Sequence, residues 1–158
     1  MIVTFCGHAD FIPSGEYARR IFDFLEETVG NQVAEMYLGG YGKFDDFAYH
    51  CCKRYKEKHP NTTLVFVTPY RSNTYLQNYL TSQGKKFDFI LYPEIENKLK
   101  KYAIIYRNQY MIEKADFVVA YVTHAHGGAY KAYEYALKKE KKVLNLSYFK
   151  NPHPTSTG

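Results

Sequence analysis

The stretch Phe117-Val118-Val119-Ala120-Tyr121-Val122 (FVVAYV) decides the fold of this chain. It is a continuous run of β-branched and aromatic residues, and it is followed by the polar, glycine-ended loop Thr123-His124-Ala125-His126-Gly127-Gly128. A short strand without polar alternation is typical of a parallel sheet whose two faces are covered by helices. Residues 129–139 then predict a helix, so the unit is a strand, a glycine-bearing loop and a helix.

The same unit recurs upstream and downstream of this stretch. Ile2 to Cys6 predicts a strand that ends at Gly7, and a helix is predicted from Gly15, with Ser14 as its N-cap, to a stop at Gly30. Further strands are predicted at residues 33–38, 62–68, 87–92 and 143–146. Further helices are predicted from residue 44 up to Pro60, and at residues 74–82 and 99–114.

Strands that alternate with helices imply right-handed crossovers and a parallel sheet. We therefore predict an α/β protein with a Rossmann-like three-layer fold, in which a mostly parallel central sheet of about six strands is covered by helices on both faces. Residues 1–150 are expected to form one domain, because 158 residues lie in the usual size range of a single domain. The tail 151–158, rich in Pro, Ser and Thr, is expected to be flexible.

Composition excludes several classes of protein. With 46% hydrophobic and 23% charged residues, the chain is neither disordered nor a coiled coil. The net charge of +5 suits nucleic acid or an anionic small ligand. We interpret the lysines in 98–101 and 138–142 as solvated helix faces and ends, and the tyrosines are spread too evenly along the sequence to favour nucleic acid.

The cysteines and the apolar runs indicate a cytoplasmic protein. There are three cysteines, and the adjacent pair Cys51 and Cys52 forms neither a disulfide framework nor a CxxC metal pattern, so we expect free thiols in a reducing compartment. No apolar run reaches the length of a signal peptide core or of a membrane span, so we expect no membrane partner.

Glycines follow three of the predicted strands. They are Gly7, the loop Gly39-Gly40-Tyr41-Gly42 and the pair Gly127-Gly128. Since the carboxyl ends of parallel strands meet at one edge of the sheet, we expect these turns to line one cleft. Glycines before a helix expose backbone N–H groups to an anion, although a mere tight turn is the alternative at each position. The loops match neither the dinucleotide-binding GxGxxG pattern nor a P-loop.

Other polar residues add candidate chemistry. Arg107 stands beside Asn108, where a guanidinium can clamp a phosphate bidentately, or it is an ordinary surface arginine. His8 and the His124-Ala125-His126 pair suggest a metal, but no carboxylate or cysteine stands at ligand spacing, so we predict no metal and no cofactor. Asp45 and Asp46 suit the first turn of a helix better than a catalytic pair.

Taken in order, these residues resemble the SLOG superfamily of Rossmann-like proteins. That superfamily joins the DNA-processing protein A family to the Lonely Guy family of nucleotide phosphoribohydrolases. The resemblance rests on residues 106–111 (YRNQYM), 115–120 (ADFVVA), Gly127-Gly128 and Glu134. Residues 39–45 (GGYGKFD) resemble the superfamily's GG-x-G-x-x-D loop, and residues 5–8 (FCGH) resemble its opening motif.

The resemblance implies roles for individual residues. Lonely Guy enzymes have an arginine before an "AD" strand start and a PGGxGTxxE motif after the strand. Arg107 matches that arginine and Glu134 matches the final glutamate, which makes both candidate catalytic residues. The candidate ligand-binding residues are Gly7, His8, Gly39, Gly40, Gly42, Lys43, Asp45, Asn108, Gly127, Gly128 and Lys131.

The chain departs from that motif where the phosphate would sit. Tyr130 and Lys131 replace its Gly-Thr, His126 replaces its proline, and Ala9 stands where an arginine would follow the opening motif. Lys131 offers a point charge, whereas Tyr130 crowds the space that a phosphate needs.

Three functions follow from these observations. The first, which we favour, is binding of a nucleotide or nucleotide-derived small molecule without strong catalysis. The second is an N-glycosidic hydrolase acting on nucleotides through Glu134 and Arg107, and whether the chain is an enzyme is left open. The third is DNA binding. As partners we expect a nucleotide-derived small molecule and a second copy of the chain in a homodimer, and no nucleic acid.

Overall fold

The fold is that of a computed structural model, which describes residues 1–149 with the exception of the side chains of residues 79–83. The predicted tail, residues 151–158, lies outside the described residues. No helix within residues 1–149 combines the length and the apolar character that a membrane crossing requires.

Strands and helices alternate along the described residues, as predicted. The strands are β1 (Ile2–Gly7), β2 (Ala34–Leu38), β3 (Thr62–Val67), β4 (Phe89–Leu91), β5 (Phe117–Tyr121) and β6 (Lys142–Asn145). The helices are α1 (Gly15–Thr28), α2 (Gly42–Lys58), α3 (Asn73–Gln83), α4 (Ala103–Lys114) and α5 (Gly128–Lys138), and one 3-10 turn (Lys100–Tyr102) precedes α4.

The strands form one six-stranded sheet in the order β4-β3-β2-β1-β5-β6. All five strand pairs are parallel, which confirms the predicted fold class. The chain builds outward from β1 to β4 and then crosses back to place β5 on the other side of β1. In such sheets a crevice opens beyond the carboxyl ends of the strands where the direction of winding reverses, here between β1 and β5.

Alternate residues of each strand pack against different helices. Met36, Leu64 and Val119 belong to the large core cluster that α1 and α2 complete with Ile21, Leu25, Ala48 and Tyr55. Their strand neighbours face the other helix layer: Val118 packs with Ile112 and Ala132, whereas Tyr37 and Val65 pack with Met111. Because successive side chains of a strand point to opposite faces, these clusters show helices on both faces of the sheet.

Local signals set several helix ends. Ser14 caps α1 as predicted, since its Oγ accepts a hydrogen bond from Tyr17 N at 3.2 Å. The fourth strand is shorter than the predicted 87–92, because Phe87 leaves the sheet to stack on Phe66. The next helix was predicted from residue 99 and begins at Ala103, after the 3-10 turn.

Candidate functional site

Two neighbouring cavities lie at the carboxyl edge of the sheet. The first cavity, of about 450 Å³, opens where β1 and β5 end, and its walls include Gly7, His8, Asp45, Arg107, Asn108 and Gly128. Its volume falls in the range of about 300–1,000 Å³ that is usual for small-molecule sites. The second cavity, of about 730 Å³, shares Ala9 and Tyr41 with the first and is lined further by Gly40, Gly42, Lys43, Asp46, His50 and Lys85.

The structure distributes the predicted residues over these two cavities. Gly127 joins the residues named above in the wall of the first cavity, whereas Gly40, Gly42 and Lys43 line the second. Gly39 lies against Arg107, and Lys131 lines a small adjoining cavity together with Asn108 and Gly128. Glu134 is not among the residues that line either cavity.

The end of β1 fits closely against its neighbours. A Cβ built on Gly7 would collide with the ring of Phe44, so only glycine lets β1 run this close to α2. The backbone N–H of His8 then donates to Tyr121 O at 3.2 Å, which holds the loop after β1 beside the end of β5. This contact sets the imidazole of His8, which is only 7% exposed, in the wall of the first cavity.

Three imidazoles lie against one another at this wall, the first two stacked and the third tilted. The ring of His8 stacks on that of His124 at a centroid distance of 3.8 Å, and His124 lies 4.0 Å from His126. His8 Nε2 accepts a hydrogen bond from Thr123 N at 3.1 Å, and burial, with a smaller contribution from His124, lowers the pKa of His8. Both effects favour a neutral His8. Within residues 1–149, no three ligating side chains converge as a metal ion requires.

The N-terminus of α5 is open toward the first cavity. Its N-cap is Gly127, which has a φ of +89° and provides no side-chain hydrogen bond to the helix. A Cβ built on Gly127 or on Gly128 would meet no atom within 4 Å, so the space above this turn is empty of protein. The first N–H groups of a helix have no partner within it and carry partial positive charge, which makes this turn a suitable place for an anion.

The N-terminus of α2 differs because the protein itself satisfies it. Asp45 Oδ2 accepts a hydrogen bond from Tyr41 N at 2.9 Å, and Lys43 N donates to Ala9 O at 3.2 Å. Burial raises the pKa of Asp45 to about 6, although Tyr41 N–H, Arg107 and Lys85 act in the opposite direction. Of the two glycine-bearing helix starts, α5 therefore offers the more accessible anion site.

Arg107 is a buried residue that connects α4 to the sheet. It is 3% exposed, and its Nη1 donates to Gly39 O and Val67 O, both at 2.9 Å, at the ends of β2 and β3. Its Nε donates to Asn108 Oδ1 at 2.8 Å, which orients Asn108 in the cavity wall. A Cβ on Gly39 would come within 3.1 Å of Arg107 Cζ, which explains that glycine. A direct contact between Arg107 and a phosphate stays a prediction.

Glu134 lies lower on α5, in contact with the aromatic residue that replaces the motif's glycine. Tyr130 Oη donates to Glu134 Oε2 at 3.0 Å, and Tyr130 is itself buried beside Val122 and Phe149. The carboxylates in the wall of the first cavity are Asp10 and Asp45 instead.

The sequence analysis missed Asp10, Tyr41 and Lys85 as site residues. Tyr41 stands inside the recognised loop 39–45, and Asp10 follows the opening motif 5–8 by two residues, so their position was an available signal. Lys85 follows α3, far along the chain from the other lining residues, and only the fold places it there.

No family model matches the sequence, and no curated protein matches it. Solved structures do match. DNA processing protein A from Helicobacter pylori matches with a TM-score of 0.57 and 18% identity, over 98% of this chain and 68% of that chain. DNA processing protein A (DprA) from Streptococcus pneumoniae matches with a TM-score of 0.56 and 16% identity, over 89% of this chain and 48% of that chain. The chain thus spans about half the length of the pneumococcal protein.

The protein TM1055 matches with a TM-score of 0.52 and 15% identity, over 90% of this chain and 71% of that one. This chain has the same fold as these three proteins. The predicted resemblance is thereby confirmed in its fold, which at these identities is what structural likeness establishes.

One expectation is overturned by these comparisons. The sequence analysis expected no nucleic acid as a partner, yet the H. pylori protein, which shares this fold, binds single-stranded DNA. The error came from judging the tyrosines by their spacing along the sequence, whereas the fold determines which of them share a surface. The expected homodimer stays a prediction.

Proposed function

We propose that the first cavity binds a nucleotide or a nucleotide-derived small molecule through a phosphate at the N-terminus of α5. The open turn at Gly127 and Gly128, located where the sheet reverses its winding, carries this proposal. A phosphate there accepts hydrogen bonds from backbone N–H groups that have no partner within the helix. The glycines let the phosphate approach the backbone without meeting a side chain.

The remaining walls suit the rest of a nucleotide. His126, which is exposed at the end of this group of imidazoles, provides an aromatic ring for a base. Asn108 and Asp45 supply an amide and a carboxylate, which hydrogen-bond the edge of a base or the hydroxyls of a sugar.

Ligand binding without strong catalysis fits the position of Glu134. N-glycosidic hydrolysis by the superfamily motif needs the glutamate beside the reacting carbon, but Glu134 lies outside the cavity lining and accepts a hydrogen bond from Tyr130. An enzyme built on this cavity would have to use Asp10 or Asp45 instead. Release of free base from nucleoside monophosphates, followed by chromatography, tests this alternative.

The experiment for the main proposal has two steps. Mass spectrometry of small molecules retained by the purified protein identifies ligand candidates, and calorimetric titration with nucleoside 5′-monophosphates measures affinity. Gly128→Val should weaken binding at least about tenfold, because its side chain fills the space of the phosphate.

Gly15→Val is the matched control. Gly15 is also the first residue of a helix, and a Cβ on it also meets no atom within 4 Å, so both variants carry the same helix penalty. Equal affinity of the two variants, or no nucleotide binding by the wild type, would contradict the proposal.

Binding of single-stranded nucleic acid is a second candidate function. Besides the DNA-binding neighbour from H. pylori, a row of tyrosines with lysines over their rings favours it. Lys101 Nζ lies 5.0 Å from the ring centroid of Tyr102, Lys98 Nζ 5.3 Å from that of Tyr106, and Lys114 Nζ 5.8 Å from that of Tyr110. Aromatic rings that stack bases, beside cations that follow a phosphate backbone, are typical of such surfaces.

Fluorescence anisotropy with a labelled oligothymidylate tests this candidate. Tyr106→Ala should weaken binding about tenfold, since stacking on one base contributes roughly 1–3 kcal/mol. Tyr148→Ala, which removes an exposed tyrosine elsewhere on the chain, is the control. Affinity that does not fall as salt is raised would exclude this function.

A further inference from the structure

The two ring nitrogens of His8 have different roles. Nε2 accepts a hydrogen bond from the backbone N–H of Thr123 at 3.1 Å, and a backbone N–H can only donate. Nε2 therefore carries no proton, and the proton of the neutral ring is on Nδ1. The contact with Thr123 thus fixes the tautomer of His8 as the Nδ1–H form.

Nδ1–H donates to no atom of the described residues, although His8 is largely buried and lines the first cavity. Within those residues, Thr62 Oγ1 is the side-chain polar atom that is both buried and without a hydrogen bond, so Nδ1 of His8 is not sealed inside the protein. Buried polar groups are generally hydrogen-bonded. A ligand in the cavity can supply the acceptor that this N–H requires.

Neighbouring rings hold the imidazole of His8 in its orientation. The ring of His124 stacks on its face with an angle of 7° between the two planes, and the ring of Tyr121 stands at 81° to it with a centroid distance of 6.4 Å. The donor is therefore oriented before a ligand arrives. His124 also contacts His126, the residue before Gly127, so the ring of His8 lies one ring farther from the start of α5 than that of His126.

We propose that His8 recognises the ligand of the first cavity as an uncharged hydrogen-bond donor, with Nδ1–H directed to an acceptor atom of the nucleoside part. This inference rests on the proposed function, because the phosphate of the same ligand lies at the start of α5. Asp10 and Asp45 in the same wall offer acceptors, and His8 supplies a donor beside them. The ligand must then present a ring nitrogen, a carbonyl oxygen or a hydroxyl oxygen to His8.

Two substitutions separate the roles of the two nitrogens. In His8→Gln an amide oxygen at the distance of Nε2 can accept from Thr123 N, but the donor at Nδ1 is lost. In His8→Asn the amide nitrogen is bonded to Cγ, as Nδ1 is, and keeps that donor. Calorimetric titration with a nucleoside 5′-monophosphate and with inorganic phosphate gives the ratio of the two affinities. This ratio should fall about fivefold in His8→Gln, as the loss of one uncharged hydrogen bond predicts, and should change little in His8→Asn.

Nitrogen NMR of the wild-type imidazoles tests the same inference without a substitution. In the free protein Nδ1 of His8 should be protonated and Nε2 should not, and the Nδ1–H signal should shift on titration with the nucleoside 5′-monophosphate. His50→Gln, which changes an exposed histidine outside the first cavity, is the control for the affinity ratio.

The outcomes separate this inference from the proposed function. A proton on Nε2 in the free protein, or a ratio that is the same in His8→Gln and His50→Gln, would overturn the role of His8 and leave the proposed function standing. If neither probe binds to the wild type, the proposed function fails, and this inference fails with it.

Discussion

Replacing Asp45 with asparagine should stabilise the free protein at neutral pH. Burial raises the pKa of this carboxyl from 3.8 to about 6, so ionising it in the folded state is unfavourable. Its hydrogen bond from Tyr41 N, at 2.9 Å, is retained if the amide oxygen of asparagine takes the place of Oδ2. The substitution therefore removes the ionisation penalty and keeps the local contact.

The size and the pH window of the effect follow from these pKa values. Below pH 3.8 the carboxyl is protonated in both states and the free energy of unfolding carries no penalty from it. As pH rises from 3.8 to about 6, the unfolded state ionises first, and the wild type loses stability relative to the asparagine variant. Above about pH 6 the difference levels off at about 2 to 3 kcal/mol.

Urea unfolding at a series of pH values measures this difference, because the transition midpoint shifts while the slope stays constant. Asp23→Asn, which removes an exposed carboxylate of α1, controls for the change in net charge. A variant that is less stable than the wild type at neutral pH, or a difference that does not vary with pH, would refute the burial of Asp45. The same variant should bind the ligand of the first cavity more weakly, since functional sites are where such costs to stability are retained.

Three further predictions concern a glycine and an arginine of the first cavity and two buried thiols. Gly7→Ala should lower the free energy of unfolding by about 1 to 3 kcal/mol, and with it the melting temperature, because the added methyl group collides with Phe44. Gly15→Ala is the control and should leave the melting temperature nearly unchanged, so equal melting temperatures of the two variants would contradict this prediction. Arg107→Lys should destabilise the protein by about 2 to 3 kcal/mol, since an ammonium cannot reproduce the contacts to Gly39 O, Val67 O and Asn108. A variant as stable as the wild type would show that those contacts are dispensable. Burial raises the pKa of Cys6 to about 12 and that of Cys51 to about 11. Both thiols should therefore react slowly with a thiol reagent in the folded protein and rapidly after denaturation. Fast labelling of the native protein, or a disulfide detected by mass, would be inconsistent with this environment.

The fold could be predicted because its signals are local and strong. The run FVVAYV and its counterparts bury both faces, and the predicted strands 62–68 and 117–122 differ from the observed ones by one residue at their ends. Prediction failed at the edge of the sheet. Phe87 continues the apolar pattern of β4, but it packs on Phe66 and Tyr49 instead, while Phe89 in the strand is 65% exposed.

The site was less predictable, because its residues act through partners distant in sequence. The glycine turns did gather at one edge, as parallel strands require. No local pattern could show that Arg107 would be buried, since its acceptors are carbonyls at the ends of β2 and β3. The motif spacing likewise placed Glu134 in the site, but it could not show that Tyr130 would hold that carboxylate outside the cavity lining.

Backbone amide shifts recorded by NMR during titration with a nucleoside 5′-monophosphate test the central claim most directly. If a phosphate binds at the open helix start, the largest changes should appear at the N–H groups of Gly128 and Ala129, with smaller ones at His8 and Asn108. The N–H groups of Tyr41 and Lys43, already bonded to Asp45 and Ala9, should shift little. Changes concentrated at Tyr41 and Lys43, or no saturable change at Gly128, would contradict the account.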